Sequence, residues 1–488
     1  MNKGEIDNRK TVTSNLFWRF SERILAQLVA FVVSVIIARL LDPSVYGTVA
    51  LITVFFMFLQ VFVDSGLGNA LIQKKDADDL DFSTVFYTNL FFCSILYIAV
   101  FFASPLISKF YKDYDLTMVP YIRVLSLTVL ISGVKNVQQA YVSKNMMFRK
   151  FFFSTLGGTV VAGVAGVLMA INGAGIWALV AQQVINLLID TLILWFTVKW
   201  RPSFAFSFKR LKGLYSFGWK ILVSSLIDTA YKEVRQLIIG KIYTSSDLAY
   251  YNQGEKIPDL IVNNIDLSID SVLLPTLSNA QDNLEHIKNM TRRAIKTSAF
   301  IMAPLMMGLF SVGEPLISLL LTEKWLPALP YMRIFCIISM FYPIHTANLN
   351  AIKAVGRSDI FLKLEISKKI VGLVAIIFTM NISVMAMAYS LLCVSLLNQI
   401  INSWPNRKIL NYGYLEQLKD ILPSILLAVF MGFCVSFLYK IGLPDIVILP
   451  IQIVFGAVIY IGGAKLLKID SFEFILSILN KYYKNDKN

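Results

Sequence analysis

Charged side chains are scarce in this chain. Asp, Glu, Lys and Arg together make up 16% of its 488 residues, where soluble domains carry about 25%. That deficit excludes a water-soluble globule. Histidine occurs only twice, as His286 and His345, far apart in sequence, which argues against a zinc site. The four cysteines, Cys93, Cys336, Cys393 and Cys434, fall inside hydrophobic runs with neither metal-ligand spacing nor a disulfide framework. No phosphate-binding glycine loop and no nucleophile elbow is present, so equipment for ATP hydrolysis is missing. Long polar loops are missing too. Lys3, Arg9 and Lys10 precede the first hydrophobic run, but no small-residue cleavage site follows it. That run is therefore expected to be a retained helix, not a signal peptide.

What fills the chain is apolar. Hydrophobic residues are 56% of it and the mean hydropathy is +0.65. A helix needs about 20 apolar residues to cross a bilayer core. Runs of that kind occupy residues 13–41, 45–63, 85–107, 118–140, 152–172, 176–198, 214–243, 257–278, 295–320, 328–350, 362–380, 383–404, 420–440 and 446–467. They are continuous, not alternating ten-residue segments, which disfavours a barrel. The fold class expected is an all-α polytopic membrane protein of about fourteen transmembrane helices.

The net charge is +14. In a soluble protein that would point to nucleic acid. Here the basic residues mark loops on one side: Lys74 and Lys75, Lys144 and Arg149, Lys199 and Arg201, Lys288 and Arg292, Arg407 and Lys408. The opposite loops hold little beyond Lys109, Lys112, Lys256, Lys324 and Lys440. The asymmetry predicts both termini in the cytoplasm, an even number of spans and no nucleic-acid partner. Phe472, Ile475, Leu479 and Tyr482 in the tail recur at helical spacing and predict an amphipathic interfacial helix.

An internal repeat organises the spans. Trp18-Arg19 opens the first and Trp219-Lys220 the seventh; Arg39-Leu40 closes the first and Lys241-Ile242 the seventh. Asp64-Ser65-x-Leu67 is matched by Asp270-Ser271-x-Leu273. Six helices per repeat make two lobes entering the membrane in the same direction, with substrate sites expected between them. The domains expected are an N-terminal six-helix lobe at 1–212, a C-terminal six-helix lobe at 213–405, and two further helices with the tail at 406–488.

Ionisable residues inside spans cost about 2.5–3.5 kcal/mol at a helix centre, so they face a cavity or a partner. Arg19, Arg23, Gln27, Ala30 and Ser34 share one face of span one, with Glu22 beside it. Ser225, Asp228, Lys232 and Arg235 do so in span seven, beside Glu233. Span eight adds Asn263, Asp266 and Asp270; spans two, four and ten add Asp64, Lys135 and His345. These stripes point to a polar cleft. Arg19 and Lys220 also fit interfacial anchors, Arg39 and Lys241 fit snorkelling ends, and Asp228 with Lys232 fits a structural ion pair. Asp76-Ala77-Asp78-Asp79 resembles an acidic nucleotide-sugar motif, but its short loop reads better as a helix cap. Gly157, Gly158, Gly163 and Gly166 give span five a small-residue face for close helix contact. Pro105, Pro304 and Pro343 are positioned to kink their helices.

Some of these segments are familiar. Ala38-Arg39-Leu40-Leu41-Asp42-Pro43-x-x-Tyr46-Gly47, then Asp64-Ser65-Gly66-Leu67-Gly68-Asn69-Ala70-Leu71-Ile72-Gln73-Lys74-Lys75, resembles the N-terminal signature of bacterial polysaccharide exporters of the oligosaccharidyl-lipid flippase group. Pro275-x-Leu277-Ser278, Glu323-Lys324-Trp325 and Gly356-Arg357-Ser358-Asp359 extend the resemblance over most of the chain. It is strongest to the branch of colanic-acid and teichuronic-acid exporters and O-antigen (Wzx-type) flippases. The chain departs from that pattern at Thr322, where glycine is expected. The resemblance implies two six-helix lobes around a V-shaped cavity, often with two further helices. It also implies a non-enzymatic activity: moving an undecaprenyl-pyrophosphate-linked oligosaccharide from the cytoplasmic to the outer leaflet of the bacterial inner membrane by alternating access. Basic residues of helices one and seven or eight would hold the pyrophosphate; by position these are Arg19, Arg23, Lys232 and Arg235. No cofactor is expected. A proton or sodium gradient would drive the cycle through Asp64, Asp228, Asp266 or Asp270. Partners implied are membrane lipids and a polysaccharide polymerase or glycosyltransferases. The competing readings are a multidrug or small-cation extruder of the same superfamily and a membrane polysaccharide polymerase or ligase.

Overall fold

The structure, a computed structural model, describes residues 25–64, 66–111, 116–280 and 283–485, without the side chains of residues 217 and 478–485. Every described element is a helix. In chain order these are α1 (Leu25–Leu40), α2 (Pro43–Asp64), α3 (Leu67–Gln73), α4 (Asp79–Phe110), α5 (Met118–Lys144), α6 (Phe148–Ile171), α7 (Ile176–Thr197) and α8 (Phe208–Ile242). Then come α9 (Ser245–Ser278), α10 (Leu284–Leu321), a 3-10 turn at Glu323–Ala328, α11 (Leu329–Met340), α12 (Tyr342–Ala354), α13 (Ser358–Thr379), α14 (Val384–Ile409), α15 (Tyr414–Tyr439), α16 (Asp445–Leu466) and α17 (Asp470–Asn485).

Eleven helical segments among the described residues are long and apolar enough to cross a membrane. Three expected spans fall short of that criterion for identifiable reasons. The described part of α1 is brief. Helix α8 carries Lys220, Asp228, Lys232, Glu233 and Arg235, and α13 carries Lys363, Glu365, Lys368 and Lys369. The tenth run is broken at Phe341, where α11 ends and Pro343 opens α12, because a proline amide cannot donate to the preceding turn.

The helix ends follow local chemistry. Asp78 accepts from the Asp81 amide while Asp81 accepts from the Asp78 amide, a capping box that starts α4. The acidic loop therefore caps a helix. At Thr322 the backbone has φ 80° and ψ 165°, a region glycine occupies without strain.

Two compact units divide the chain, residues 1–249 and 250–488. In the first, α6 lies along α7, α5 packs on α4 and α7, and α8 packs on α2, α3 and α4. The glycine face of α6 permits this: a Cβ on Gly158 would sit 2.8 Å from the Asn186 carbonyl oxygen. In lipid, such close packing replaces water exclusion as the force between helices. One end of this unit is pinned by charge. Asp81, fully buried, accepts from Lys74 at 2.6 Å and pairs with Arg210 at 3.1 Å. The Arg210 guanidinium, hydrogen-bonded to Asp78, together with the Asp81 amide, lowers the Asp78 carboxyl to about 2.

In the second unit α10 packs on α15 and α16, and α14 on α11, α12 and α13. A buried amide network ties three of these helices. Asn348 of α12 donates to Gln417 of α15 at 2.7 Å, and Asn406 of α14 donates to Asn348 at 2.6 Å. Ser403 donates to Gln417 at 2.9 Å. Helix α17 docks on α10 through Phe472 against Phe300 and Asp470 against Lys296.

The units share a turn. After α5 the amides of Asn145, Met146 and Met147 donate to Tyr141, Ser143 and Val142; after α12 those of Val355, Gly356 and Arg357 donate to Ala351, Lys353 and Ile352. Both are Schellman-type endings, with positive φ at Met146 (52°) and Gly356 (78°).

Candidate functional site

In the first unit, polar side chains of four helices converge. Asp64, the last residue of α2, accepts from Gln60 at 3.2 Å and from Asn136 of α5 at 3.1 Å. The next α5 residue back, Lys135, reaches Asp190 of α7 in an ion pair whose side chains are 12% and 10% exposed. Oδ2 of Asp190 makes that contact; its Oδ1 is buried without a hydrogen-bond partner. This pair borders a cavity of about 400 Å³. Thr53 and Gln60 of α2, Thr128 of α5, Thr155 and Thr159 of α6, and Gln183 and Asn186 of α7 supply its polar lining, and Phe56, Met57 and Leu187 its apolar part.

Helix α8 places its stripe differently. Asp228 and Lys232 are exposed, and Arg235 is half-buried with its Nε shut from solvent and without a partner. Glu233 Oε2 is likewise buried and unpartnered. Close approach of α8 to the α2–α3 break is set by glycine. Gly66 has φ 69°, and a Cβ there would lie 2.3 Å from the Gly218 carbonyl oxygen. Arg19 and Arg23 lie outside the described residues.

In the second unit, α9 presents two acids to α12. Thr346 donates to Asp266 at 3.1 Å and Asn350 to Asp270 at 2.6 Å. His345, one residue before Thr346, lies 2.5 Å from the Asn402 amide of α14. This side-chain hydrogen bond joins α12 to α14. Lys368 of α13, 6% exposed, donates to Glu365 one turn back at 2.5 Å.

The two sets correspond. Asp64 lies 21 residues beyond the first residue of α2, and Asp266 lies 21 beyond the first of α9. Asn136 and Thr346 each precede their positive-φ residue by ten positions. In each unit the acid therefore binds one side chain of another helix, and the residue just before that side chain reaches the helix after next. The fold thus matches Asp64 with Asp266, one helical turn before the motif partner Asp270. The candidate residues separate into three groups: Asp64 with the cavity, Asp228, Lys232 and Arg235 along α8, and Asp266 with Asp270 on α9. Asp190, Gln183, Thr346 and Asn402 are additional members. Only Asp190 carried a signal, an acid inside an apolar run. No group of His, Cys, Asp and Glu among the described residues could hold a metal ion, and the arrangement offers hydrogen bonding and paired charge.

Comparison with known proteins places this architecture. A family model described as "Polysaccharide biosynthesis protein" matches residues 36–330. The teichuronic acid biosynthesis protein TuaB of Bacillus subtilis (strain 168) is 25% identical over 382 residues, 77% of this chain and 78% of its own. The succinoglycan biosynthesis transport protein ExoT of Rhizobium meliloti (strain 1021) is 25% identical over 72% of this chain and 71% of its own. Among solved structures, the lipid II flippase MurJ in an inward closed conformation superposes with a TM-score of 0.75 at 15% identity, covering 94% of this chain and 99% of that one.

Proposed function

The chain belongs to the polysaccharide biosynthesis protein family, and from that membership we propose that it is a flippase for polyprenyl-pyrophosphate-linked oligosaccharide. The relatives' names place them in the biosynthesis or transport of surface polysaccharides, and the lipid II flippase has the same fold. The cargo of such a protein has a greasy tail, an anionic pyrophosphate and a sugar headgroup.

The observation that carries the reading is α8. It is 35 residues long, about 52 Å at 1.5 Å per residue, yet its interior exposes Lys232 and half-exposes Arg235. Cations at such depth are costly unless they meet an anion or water. Pyrophosphate oxygens suit them, since charge-assisted hydrogen bonds are the strong ones. Arg19 and Arg23 join them as proposed contacts. The protein sits in the bacterial inner membrane with both termini in the cytoplasm, and cargo moves from the cytoplasmic to the outer leaflet by alternating access. A proton or sodium gradient drives it through Asp64, Asp228, Asp266 or Asp270. A polymerase or glycosyltransferase supplies or receives the cargo.

The test uses the purified full chain in vesicles loaded with a fluorescent polyprenyl-pyrophosphate oligosaccharide, reading leaflet accessibility. Lys232→Ala and Arg235→Ala are each expected to slow transfer about tenfold or more, the scale of one lost charged hydrogen bond. Undiminished transfer at equal protein level overturns the pyrophosphate assignment. No transfer by the unsubstituted chain overturns the flippase reading.

A further inference from the structure

We propose that the cavity inside the first unit is a saccharide subsite that takes one uncharged sugar ring of the cargo, an inference that rests on the flippase reading. Its volume of about 400 Å³ lies within the ~300–1,000 Å³ of small-molecule sites. Its chemistry is that of hydroxyl recognition. Thr53 donates its hydroxyl proton to the Val49 carbonyl at 2.8 Å, Thr128 to Leu125 at 2.5 Å and Thr159 to Thr155 at 2.7 Å. With those protons committed to the helices, the oxygens are left to the cavity as acceptors. Gln183 supplies the complementary donor: its amide reaches Thr53 Oγ1 only at 3.5 Å, the outer limit of a hydrogen bond, and is available for a better acceptor.

Asp190 adds a charged group to this lining. It is 7% exposed, it lines the cavity, and its buried Oδ1 has no partner. A buried acceptor without a donor costs about 1–3 kcal/mol, more when charged. Oδ1 itself is closed to a water-sized group, so sugar hydroxyls meet the Gln183 amide and the threonine oxygens, and the Asp190 carboxylate contributes its charge to the cavity wall. Phe56, Met57 and Leu187 offer an apolar wall for the C–H face of a pyranose. Charge decides the class of sugar. Lys135 and Asp190 neutralise each other, so the lining has no excess cation to attract a uronate, and the unpartnered Asp190 oxygen repels one.

Binding is measured on the purified full chain in detergent with three probes: a short polyprenyl pyrophosphate, the same lipid carrying one glucose, and the same lipid carrying one glucuronic acid. The glucosyl lipid is expected to bind about tenfold or more tighter than the bare lipid, the scale of one or two hydrogen bonds to the cavity's amide and hydroxyl groups. The glucuronosyl lipid gains nothing. In Gln183→Leu the ratio of glucosyl to bare affinity falls toward one. In Thr159→Val, which keeps shape and removes one hydroxyl, it falls severalfold; the second variant guards against a folding defect in the first. Bare-lipid binding with no gain from glucose overturns the subsite alone. An equal gain from glucuronic acid overturns the assignment to uncharged sugar. A ratio unmoved by both substitutions overturns the location. Failure to bind any probe overturns the flippase reading and the subsite together.

Discussion

The two units build the same constellation from different charges. In the first, Asp64 holds Asn136 and the neighbouring Lys135 reaches Asp190. In the second, Asp266 holds Thr346 and the neighbouring His345 reaches Asn402. Helix positions are repeated while the second contact changes from an ion pair to a neutral hydrogen bond. The surroundings differ in the same sense. The first unit's pair borders a cavity whose hydroxyls and amides face open space. In the second, Asn348, Ser403, Asn406 and Gln417 are all fully buried and bond to one another. One unit lines a cavity with its polar groups, and the other ties them to one another across three helices. The same arrangement of helices can thus carry different side-chain chemistry.

The largest effect that would break this comparison comes from the second contacts. Lys135→Met removes one partner of a nearly buried pair and should cost about 3–5 kcal/mol, because the Asp190 charge stays behind without compensation. The double variant Lys135→Met/Asp190→Leu should recover most of that loss. His345→Leu leaves only the neutral Asn402 amide unpaired and should cost about 1–3 kcal/mol. Unfolding of the full chain in mixed micelles under increasing SDS gives both values. Equal losses for the two single variants would erase the distinction between a charged and a neutral centre.

A smaller effect tests the first contacts. Asp64→Asn and Asp266→Asn preserve shape and an acceptor oxygen, so each should change stability by less than about 1 kcal/mol. If both acids couple ion movement to transport, each substitution should lower leaflet transfer about tenfold, the scale of a typical coupling energy, and flatten its dependence on pH or sodium. Loss in only one variant would assign coupling to one unit and show that the repeat is architectural, not functional.

Much of this was legible in the sequence, for reasons that also mark what was not. Apolar runs locate helices because lipid leaves the backbone no other partner, so α4 to α7 fall close to their expected spans. Asp78 was legible as a cap because the loop before α4 has the spacing of a capping box. The glycines of α6 read correctly as a contact face, since a missing Cβ has few other uses at helical spacing. The cavity was not legible. Its lining of Thr, Gln and Asn is scattered over four helices, and each is inexpensive enough in a membrane helix to give no local signal. The match of Asp64 to Asp266 was hidden for a different reason. Motif similarity favours Asp270-Ser271, but α2 breaks at Gly66 whereas α9 runs on unbroken, shifting the register by one turn. A one-turn shift keeps the same helix face, so either pairing predicts a polar stripe and only the hydrogen bonds separate them.

The finest test of equivalence lies in the shared turn. Both Schellman-type endings need a residue with positive φ, and the second unit supplies Gly356 where the first has Met146. A non-glycine residue there brings Cβ against its own carbonyl at a cost of about 1–2 kcal/mol. Met146→Gly should therefore stabilise the chain by about 1 kcal/mol, less the entropy that glycine restores to the unfolded chain. Gly356→Met should destabilise by a similar amount, since nothing lies within 4 Å of a Cβ at that position and only backbone strain is at issue. The same SDS titration reads both. Opposite signs of comparable size mean that the two turns are one structure built twice with different residues. If Met146→Gly instead destabilises, the Met146 side chain makes a contact that compensates its strain, and the two turns are alike in hydrogen bonding alone.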